Sequence, residues 1–262
     1  MTSKQPQFTI ITVVYNDVAG LVSTKSSIAS QTFSDFEWIV IDGGSSDGTV
    51  NFLKQCDQIG LCWVSEKDDG IYDAMNKGIN KSRGEYLVFL NSGDTFPSSD
   101  TLFSVYKALL SATKPDVLFG GAEYVFPDGK SLFRPPKVIS KCICHGLPAN
   151  HQATYYNRNI LNGLLYDPKY KICGDYYLIA KLYKKGVEAA YLETSLVKFG
   201  VGGTSYVNRI PLFFEPYVIQ RDVLLQPLFW RVVSFLKRGT STLGMIALQN
   251  IHRAKRSTQH GG

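Results

Sequence analysis

The sequence predicts an α/β fold in which helices flank a mixed, mostly parallel sheet. Between residues 8 and 94, segments rich in β-branched and apolar residues alternate with segments of helical spacing. This alternation is typical of a doubly wound parallel sheet. The run FTIITVVY at 8–15 is apolar almost throughout, which is the pattern of a strand covered on both faces.

Four strands are predicted in the first part of the chain, and a helix follows each of the first three. The strands are placed at 8–15, 37–41, 61–65 and 85–90. The helices are placed at 17–31, 50–56 and 70–81. Asn16 or Asp17 can cap the first helix, and the glycine-rich turn DGGSSDGT at 42–49 leads into the second.

The pattern becomes mixed beyond residue 94. Strands are predicted at 117–125, 131–134 and 153–157, a helix at 174–184, and one or two strands at 189–199. No internal repeat or low-complexity linker divides the chain. We therefore expect one main domain over 1–205 and a C-terminal appendix over 206–262.

Composition limits the possible classes of protein. The chain has 262 residues, of which 44% are hydrophobic and 19% charged, as in a globular protein. Its five cysteines form no CxxC pair and no zinc-binding spacing, so we expect a reducing cytoplasm. No apolar stretch approaches the roughly 20 residues of a membrane span. A soluble or peripheral protein is expected.

The basic charge is concentrated at the C-terminus. Between residues 221 and 262 there are seven lysines and arginines and one acid, Asp222, which accounts for the whole net charge of +6. Large apolar residues are interleaved with these charges, a composition typical of amphipathic helices on anionic membranes. Two helices that pack on the core and expose a basic face explain the composition equally well.

Acidic residues follow three of the predicted strands. Asp42 follows the second strand, Asp68 and Asp69 the third, and Asp94 the fourth. These carboxylates should meet at one edge if the strands are parallel. Carboxylates repel a phosphate unless a metal bridges them, so a diphosphate carried by Mg²⁺ or Mn²⁺ is the simplest ligand. Each turn alone is also what an ordinary strand-to-helix connection uses.

Six blocks, in order, resemble those of the family-2 glycosyltransferases with the GT-A fold. They are VVYND at 13–17, QTFSDFEWIVIDGGSSDGT at 31–49, SEKDDGIYDAMNKGI at 65–79, GEYLVFLNSGD at 84–94, HQATYY at 151–156 and CGDYYLIAKLYKKG at 173–186. The match is closest to bacterial members that build colanic acid, other exopolysaccharides and O-antigen units. It implies a Rossmann-like nucleotide-diphospho-sugar transferase fold, with a nucleotide-sugar-binding half at 8–100 and an acceptor-binding half at 101–205.

The resemblance implies donor-binding roles for residues in several loops. Tyr15 and Asn16 match the segment against which the nucleotide base packs, and Asp42 matches the acid that bonds the base or ribose. Asp69 lies in a block that lines the donor site. On the helix that follows, Asn76 is expected to reach the sugar.

The turn at 91–94 matches the family's metal motif, which typically reads Asp-Ser-Asp-Asp. Here it consists of Asn91, Ser92, Gly93 and Asp94, so only the last acid is kept. The resemblance implies that Asp94 holds Mg²⁺ or Mn²⁺ together with the diphosphate and water, or that metal dependence is weakened. Arg209, in a loop that closes over the donor, is expected to reach the pyrophosphate.

Asp175 matches the family's catalytic base. The family often has Glu-Asp at this point, and Gly174 replaces the first acid here. Inverting transfer is a single displacement that needs one base to take the acceptor's proton. A first-turn acid stabilised by the helix dipole is the alternative for Asp175. His151 and Gln152 match the acceptor-side segment, where His151 either lines the pocket or supports it.

The resemblance as a whole implies an inverting hexosyltransferase. It implies a nucleotide-diphosphate sugar donor, commonly UDP-linked, and a lipid-linked saccharide acceptor in bacterial O-antigen or exopolysaccharide synthesis. The protein would be cytoplasmic, peripheral to the inner membrane, and without a nucleic-acid partner. One alternative is a nucleotidyltransferase, but its glycine-rich basic loop is missing after the first strand. The other is a non-catalytic membrane or nucleic-acid binder, which leaves the acidic turns unexplained.

Overall fold

An eight-stranded sheet runs through the computed structural model, which describes residues 5–201 and 210–238. The strands are β1 (Phe8–Val14), β2 (Phe36–Asp42), β3 (Leu61–Ser65), β4 (Tyr86–Phe89), β5 (Val117–Val125), β6 (Ser131–Arg134), β7 (Thr154–Asn157) and β8 (Ala189–Gly200). Their order is β3-β2-β1-β4-β7-β5-β6, and β8 pairs in parallel with β5.

The first four strands form the predicted doubly wound half of the sheet. β1 pairs in parallel with both β2 and β4, and β2 pairs in parallel with β3. The chain therefore moves outward from β1 to β3 and returns on the other side of β1, which opens a crevice at the carboxyl ends of β1 and β4. β7 is antiparallel to β4 and β5, so the sheet is mixed and the predicted fold class is confirmed.

Helices cover both faces of the sheet. They are α1 (Val18–Ala29), α2 (Thr49–Gln55), α3 (Ile71–Lys81), α4 (Thr101–Ser111), α5 (Ile139–Cys142), α6 (Gly174–Lys184), α7 (Ile210–Asp222) and α8, described over 228–238. The apolar residues of α3 and α6 are buried with one face of the sheet, and those of α1, α2 and α4 with the other. The core thus has two layers.

Alternate side chains of β1 contribute to the two layers of the core. All seven of its residues are buried. Ile11 and Val13 join the layer of α3 and α6, whereas Ile10 and Val14 join the layer of α1, α2 and α4. Successive side chains of a strand point to opposite faces, so an uninterrupted apolar run is what a doubly covered strand requires.

The described part of 206–262 packs on the core formed by the preceding residues. Ile219 of α7 is fully buried in the same core layer as α6. In α8, by contrast, Leu228, Phe229 and Trp230 are each at least half exposed. Within the described residues, no helix combines the length and apolar character needed to cross a bilayer.

Candidate active site

The loops after β1, β2, β3 and β4 lie at one edge of the sheet because these four strands are parallel. The loop after β1 carries Tyr15, whose side chain is 65% exposed. The glycine-rich turn follows β2, and the predicted acids Asp69 and Asp94 follow β3 and β4. The sheet therefore brings the predicted donor-binding loops to a common surface.

Asp42 builds the turn that follows β2. Its Oδ2 accepts hydrogen bonds from the backbone N–H of Gly44 at 3.2 Å and of Ser45 at 3.0 Å, and from the Ser65 hydroxyl at 2.6 Å. Its Oδ1 has no hydrogen-bond donor among the described residues. The Asp42 side chain is fully buried, so a nucleotide reaches this oxygen only if the turn opens.

Side chains bind the loops after β1 and β2 together. The backbone N–H of Asn16 donates to the Ser45 hydroxyl at 2.7 Å, and its side-chain oxygen accepts from the Ser46 N–H at 2.8 Å. Asp47 accepts from the N–H of Val18 at 2.9 Å. We call this set of bonds between 15–18 and 42–49 the loop clasp. Through these bonds Asn16 supports the surface from within the loops.

Asp68, which the resemblance did not single out, faces this surface. A Cβ atom placed on Gly43 would lie 2.5 Å from Asp68 Oδ2 and 3.3 Å from the Tyr15 ring. Three strand ends therefore converge at Gly43, where only a residue without a side chain fits. The adjacent Asp69 is exposed, and its N–H donates to Asp73 at 3.1 Å. Adjacent aspartates give no sequence signal that distinguishes them.

Both polar atoms of the Asn76 side chain bond to the backbone of Tyr166. Its Nδ2 donates to the carbonyl oxygen of Tyr166 at 2.9 Å, and its Oδ1 accepts from the Tyr166 N–H at 2.8 Å. The side-chain amide thus fastens the segment around Tyr166 to α3. Each of these atoms uses only one of its two hydrogen-bonding positions, so the expected contact of Asn76 with the sugar stays a prediction.

The turn at 91–94 is fixed from the side of α1. The Ser92 hydroxyl donates to Asp17 Oδ2 at 2.9 Å, while Asp17 Oδ1 caps α1 by accepting the Gly20 N–H at 3.0 Å. Gly93 has a φ of +89°, a conformation that favours glycine, and its N–H donates to Thr24. Ser92 and Gly93 therefore set the shape of the turn that carries Asp94.

Asp94 is buried beside Gln152, whose Nε2 donates to Asp94 Oδ2 at 2.8 Å. Burial raises the pKa of Asp94 to about 7, although hydrogen bonds from Gln152 and the Gly200 backbone oppose this rise. The carboxyl group is therefore poised between its two protonation states near neutral pH. A nearby cation would favour the ionised form.

The oxygens around Asp94 fit a hard divalent cation. Asn91 Oδ1 and Gln152 Oε1 are buried and lack hydrogen-bond donors within the described chain. Carboxylate and amide oxygens are ligands that Mg²⁺ and Mn²⁺ accept. No group of three or more His, Cys, Asp or Glu side chains suited to a metal occurs in 5–201 or 210–238. A cation here would therefore take its remaining ligands from a diphosphate and water.

Asp175 and His151 lie together at the start of α6. His151 Nδ1 is 3.7 Å from Asp175 Oδ2, beyond hydrogen-bond distance, and the side chains are 19% and 16% exposed. Burial raises the pKa of Asp175 to about 6, opposed by the Tyr176 N–H that donates to its Oδ1. Burial lowers the pKa of His151 to about 4. At pH 7 the pair is therefore a carboxylate beside a neutral imidazole.

His151 links Asp175 to the turn at 91–94. The side-chain amide nitrogen of Asn91 lies 3.4 Å from His151 Nε2. Because an amide N–H donates, Nε2 accepts and the ring proton is on Nδ1, which faces Asp175. Asp175, His151 and Asn91 thus form a row between the expected acceptor side and the expected metal motif.

Tyrosines surround Asp175. The rings of Tyr72 and Tyr166 stack with centroids 5.0 Å apart, and burial raises the pKa of both hydroxyls far above their ordinary value. A Cβ on Gly174 would lie 2.8 Å from the Tyr72 ring. This contact explains why glycine stands where the family often has an acid, since no larger side chain fits. Arg209, the remaining predicted donor residue, lies outside the described residues.

Curated relatives of this chain are glycosyltransferases. An uncharacterized glycosyltransferase of Mycobacterium tuberculosis is 33% identical over 184 residues, which cover 69% of this chain and 70% of the relative. A PGL/p-HBAD biosynthesis glycosyltransferase of Mycobacterium bovis is 27% identical over 223 residues, which cover 79% of this chain and 85% of the relative.

Solved structures share the fold at low sequence identity. Residues 1–349 of TarS from S. aureus, in complex with UDP-GlcNAc, superpose with a TM-score of 0.70 at 18% identity, over 90% of this chain and 73% of that one. The mannosyltransferase PcManGT from Pyrobaculum calidifontis, in complex with GDP-Man and Mn²⁺, superposes with a TM-score of 0.65 at 17% identity, over 86% of this chain and 66% of that one.

The profile of Glycosyl transferase family 2 matches residues 9–187, which span β1 to α6 and include every predicted site residue except Arg209. The enzyme class expected from the six blocks is confirmed, and the nucleotidyltransferase and non-catalytic alternatives are set aside. With its GT-A fold, the chain belongs to glycosyltransferase family 2.

Proposed function

We propose that this glycosyltransferase transfers a hexose, with inversion, from a nucleotide-diphosphate sugar to a hydroxyl group of a lipid-linked saccharide. Asp175 is the catalytic base in this proposal. The observation that supports this proposal is the protonation state of the Asp175 carboxylate. With a pKa raised by burial to about 6, Asp175 is ionised near neutral pH yet basic enough to accept a proton.

Among the described residues, none donates a hydrogen bond to Asp175 Oδ2, which leaves this oxygen available to the acceptor. Oδ1 is occupied by the Tyr176 N–H at 2.8 Å, whereas Oδ2 lies 3.7 Å from its neighbour His151. Asp175 Oδ2 would take the proton as the acceptor oxygen bonds to the anomeric carbon. The bond from that carbon to the diphosphate breaks in the same step, and the nucleoside diphosphate leaves. Neutral His151 lines the acceptor pocket together with Gln152.

The surface above the loop clasp is the proposed nucleotide site. The exposed ring of Tyr15 offers a face for the base, and Asp68 lies beside it at Gly43. Asn16 and Asp42 shape this surface from below. We propose a UDP-sugar as donor, supported by the fold shared with TarS, whose structure holds UDP-GlcNAc.

Mg²⁺ or Mn²⁺ is the proposed cofactor, held by Asp94, with the buried and unpartnered amide oxygens of Asn91 and Gln152 as further candidate ligands. When bound, such a cation neutralises the negative charge that develops on the departing diphosphate. The fold shared with a mannosyltransferase bound to Mn²⁺ supports this assignment. In the turn at 91–94, Ser92 and Gly93 hold Asp94 in place. Arg209 is proposed to contact the pyrophosphate.

We propose that α8 holds the protein on the cytoplasmic face of the inner membrane, where a lipid-linked acceptor lies. Phe229 and Trp230 are 67% and 50% exposed, and Arg231 and Lys237 are on the same helix. Exposed aromatic residues beside basic ones suit an anionic lipid surface. The product would belong to bacterial surface polysaccharide or glycolipid synthesis, which agrees with the relative named for PGL/p-HBAD biosynthesis.

A donor screen tests the reaction. Purified protein is incubated with UDP-, GDP- and dTDP-hexoses, Mg²⁺ or Mn²⁺, and a membrane extract as the acceptor source. Turnover of one donor, with inverted anomeric configuration in the product by NMR, is the expected result. Retained configuration contradicts the single displacement, and no turnover of any donor by a folded protein contradicts the donor class.

Vesicle sedimentation tests the membrane surface. The full chain should sediment with phosphatidylglycerol vesicles, and the double substitution of Phe229 and Trp230 by Ser should release it. Ile59→Ser is the matched control, since Ile59 is 90% exposed in another part of the chain. Equal binding by the double variant and the control contradicts the proposed role of α8.

A further inference from the structure

The carboxylate of Glu215 in α7 binds three consecutive backbone N–H groups just before α6. Its Oε1 accepts from Lys171 at 2.7 Å, and its Oε2 accepts from Ile172 at 3.0 Å and from Cys173 at 2.8 Å. Hydrogen bonds to an ionised acceptor are stronger than those between neutral groups. The segment 171–173 is therefore fixed by a residue more than forty positions later in the chain.

This arrangement completes the N-terminus of α6. The helix begins at Gly174, and the residue at its N-cap, Cys173, makes no side-chain capping bond. In a capping box the N-cap N–H is bonded by an acidic side chain three residues later, and that position is Tyr176 here. Glu215 supplies the missing carboxylate from another helix.

The segment is also held from the opposite side. The Tyr72 hydroxyl donates to the carbonyl oxygen of Ile172 at 2.6 Å, and the Tyr72 ring packs on Gly174. In α7, Ile219 is fully buried one turn beyond Glu215, which anchors the helix that presents the carboxylate. Asp175 follows Cys173 by two residues, so little freedom remains between the fixed segment and the carboxyl group.

We propose that Glu215 is a positioning residue for the transfer reaction, which holds Asp175 at the acceptor through the backbone of 171–173. This inference rests on the proposed role of Asp175 as the base. Glu215 itself contacts neither donor nor acceptor in this proposal. Its effect should therefore fall on the chemical step and leave donor binding unchanged.

The charge of Glu215 gives the proposal a second measurable consequence, in the pH dependence of the rate. The titratable and charged groups in or around Asp175 and its segment include the following: His151, Tyr72, Tyr156, Tyr166, Lys171, Cys173, Glu215 and Arg238. Burial is the main cause of the raised pKa of Asp175, and the negative charge of Glu215 adds to it. Removing that charge should lower the pKa, so the acid limb of the rate profile should move to lower pH.

The experiment compares Glu215→Gln and Glu215→Ala with Asp222→Asn. Asp222 is an exposed acid on the same helix whose carboxylate is bonded by its neighbour Arg221. Each full-length variant is assayed for kcat, donor KM and the pH dependence of kcat, with the folded fraction measured by near-UV circular dichroism. Asp175→Asn is assayed in parallel.

The expected result is a loss in kcat of about tenfold in Glu215→Gln and up to about 100-fold in Glu215→Ala, with donor KM within about threefold. The acid limb of Glu215→Gln should move to lower pH, and Asp222→Asn should match the wild type. A Glu215→Gln enzyme with unchanged kcat and acid limb per folded molecule overturns the positioning role. Full activity of Asp175→Asn would instead overturn the proposed base.

Discussion

Replacing Asp175 by Asn should slow transfer and also stabilise the fold. The carboxylate is buried, and its pKa is raised to about 6 from an ordinary value of 3.8. Folding therefore favours the protonated carboxyl, and ionisation destabilises the native state. Asparagine keeps an oxygen for the Tyr176 N–H but carries no charge. Loss of activity and gain of stability thus have the same cause.

The size of the stability gain follows from these pKa values. The stabilisation conferred by the raised pKa is fully present below pH 3.8 and is lost as the pH rises through 6. At pH 7 the ionised carboxylate costs about 3 kcal/mol relative to a neutral group, and at pH 4 less than about 1 kcal/mol. Asp175→Asn should therefore raise the free energy of unfolding clearly at pH 7 and little at pH 4.

The kinetic change should be larger. Loss of a general base reduces the rate by about 10²- to 10⁴-fold, equivalent to about 3–5 kcal/mol in the barrier. In the wild type, kcat should fall about tenfold between pH 7 and pH 5, because the ionised fraction of Asp175 falls from about 90% to about 10%. Donor turnover gives the rates, and urea unfolding at pH 4 and pH 7 gives the stabilities.

Asp167→Asn is the matched control. Asp167 precedes the same helix. Burial raises the pKa of this carboxyl, but hydrogen bonds from Lys169 outweigh burial and bring the pKa below its ordinary value. Its replacement should therefore leave stability unchanged or slightly reduced at pH 7, opposite in sign to Asp175→Asn. The reasoning is refuted if Asp175→Asn retains activity within threefold of wild type, or if it is less stable than wild type at pH 7.

Three further predictions concern the donor side. Tyr15→Ala should raise donor KM about two- to tenfold through lost stacking, whereas Tyr15→Phe should leave donor KM unchanged. Equal increases in donor KM for the two variants, measured in donor titrations, would contradict stacking. Gly43→Ala should weaken donor binding at least about fivefold, since the new Cβ would lie 2.5 Å from Asp68 Oδ2. Gly146→Ala is its control, because the new Cβ would meet no described residue within 4 Å apart from its chain neighbours. Equal affinities of the two variants in calorimetry would refute the contact. Metal binding needs ionised Asp94, whose pKa burial raises to about 7. Mn²⁺ affinity should therefore rise about tenfold per pH unit below 7 and level off above it; a flat profile excludes Asp94 as the ligand.

Local sequence patterns were sufficient for the doubly wound half of the fold. Strands β1 to β4 are short apolar runs, and their alternation with α1 to α3 is visible without tertiary information. The prediction omits α4, although Leu102, Val105 and Leu109 are spaced as on one face of a helix and are buried. The antiparallel insertion of β7 between β4 and β5 depends on long-range pairing that no local pattern specifies.

From strand patterns alone, the candidate site was predictable only as far as strand ends determine it, whereas Asp175, His151 and Gln152 were predicted from the resemblance to the family. Parallel strands bring their following loops together, which gave the loops of Tyr15, Asp42 and Asp94. The roles of Asn76 and Glu215 depend on hydrogen bonds to backbone groups 90 and more than 40 residues away. Such bonds leave no periodic signal in the sequence, so these residues look like ordinary helix-surface positions until the fold is known.

The loop clasp has a consequence for how this enzyme could change its donor. The bonds of Asn16 and Asp47 hold the two loops of the loop clasp together without a ligand. The exposed Tyr15 ring makes none of these bonds. The residues that hold the loops are therefore separate from Tyr15, the residue proposed to stack on the base. On that proposed role, substitutions at Tyr15 should alter nucleotide preference while the loops keep their shape, which makes this position a starting point for engineering.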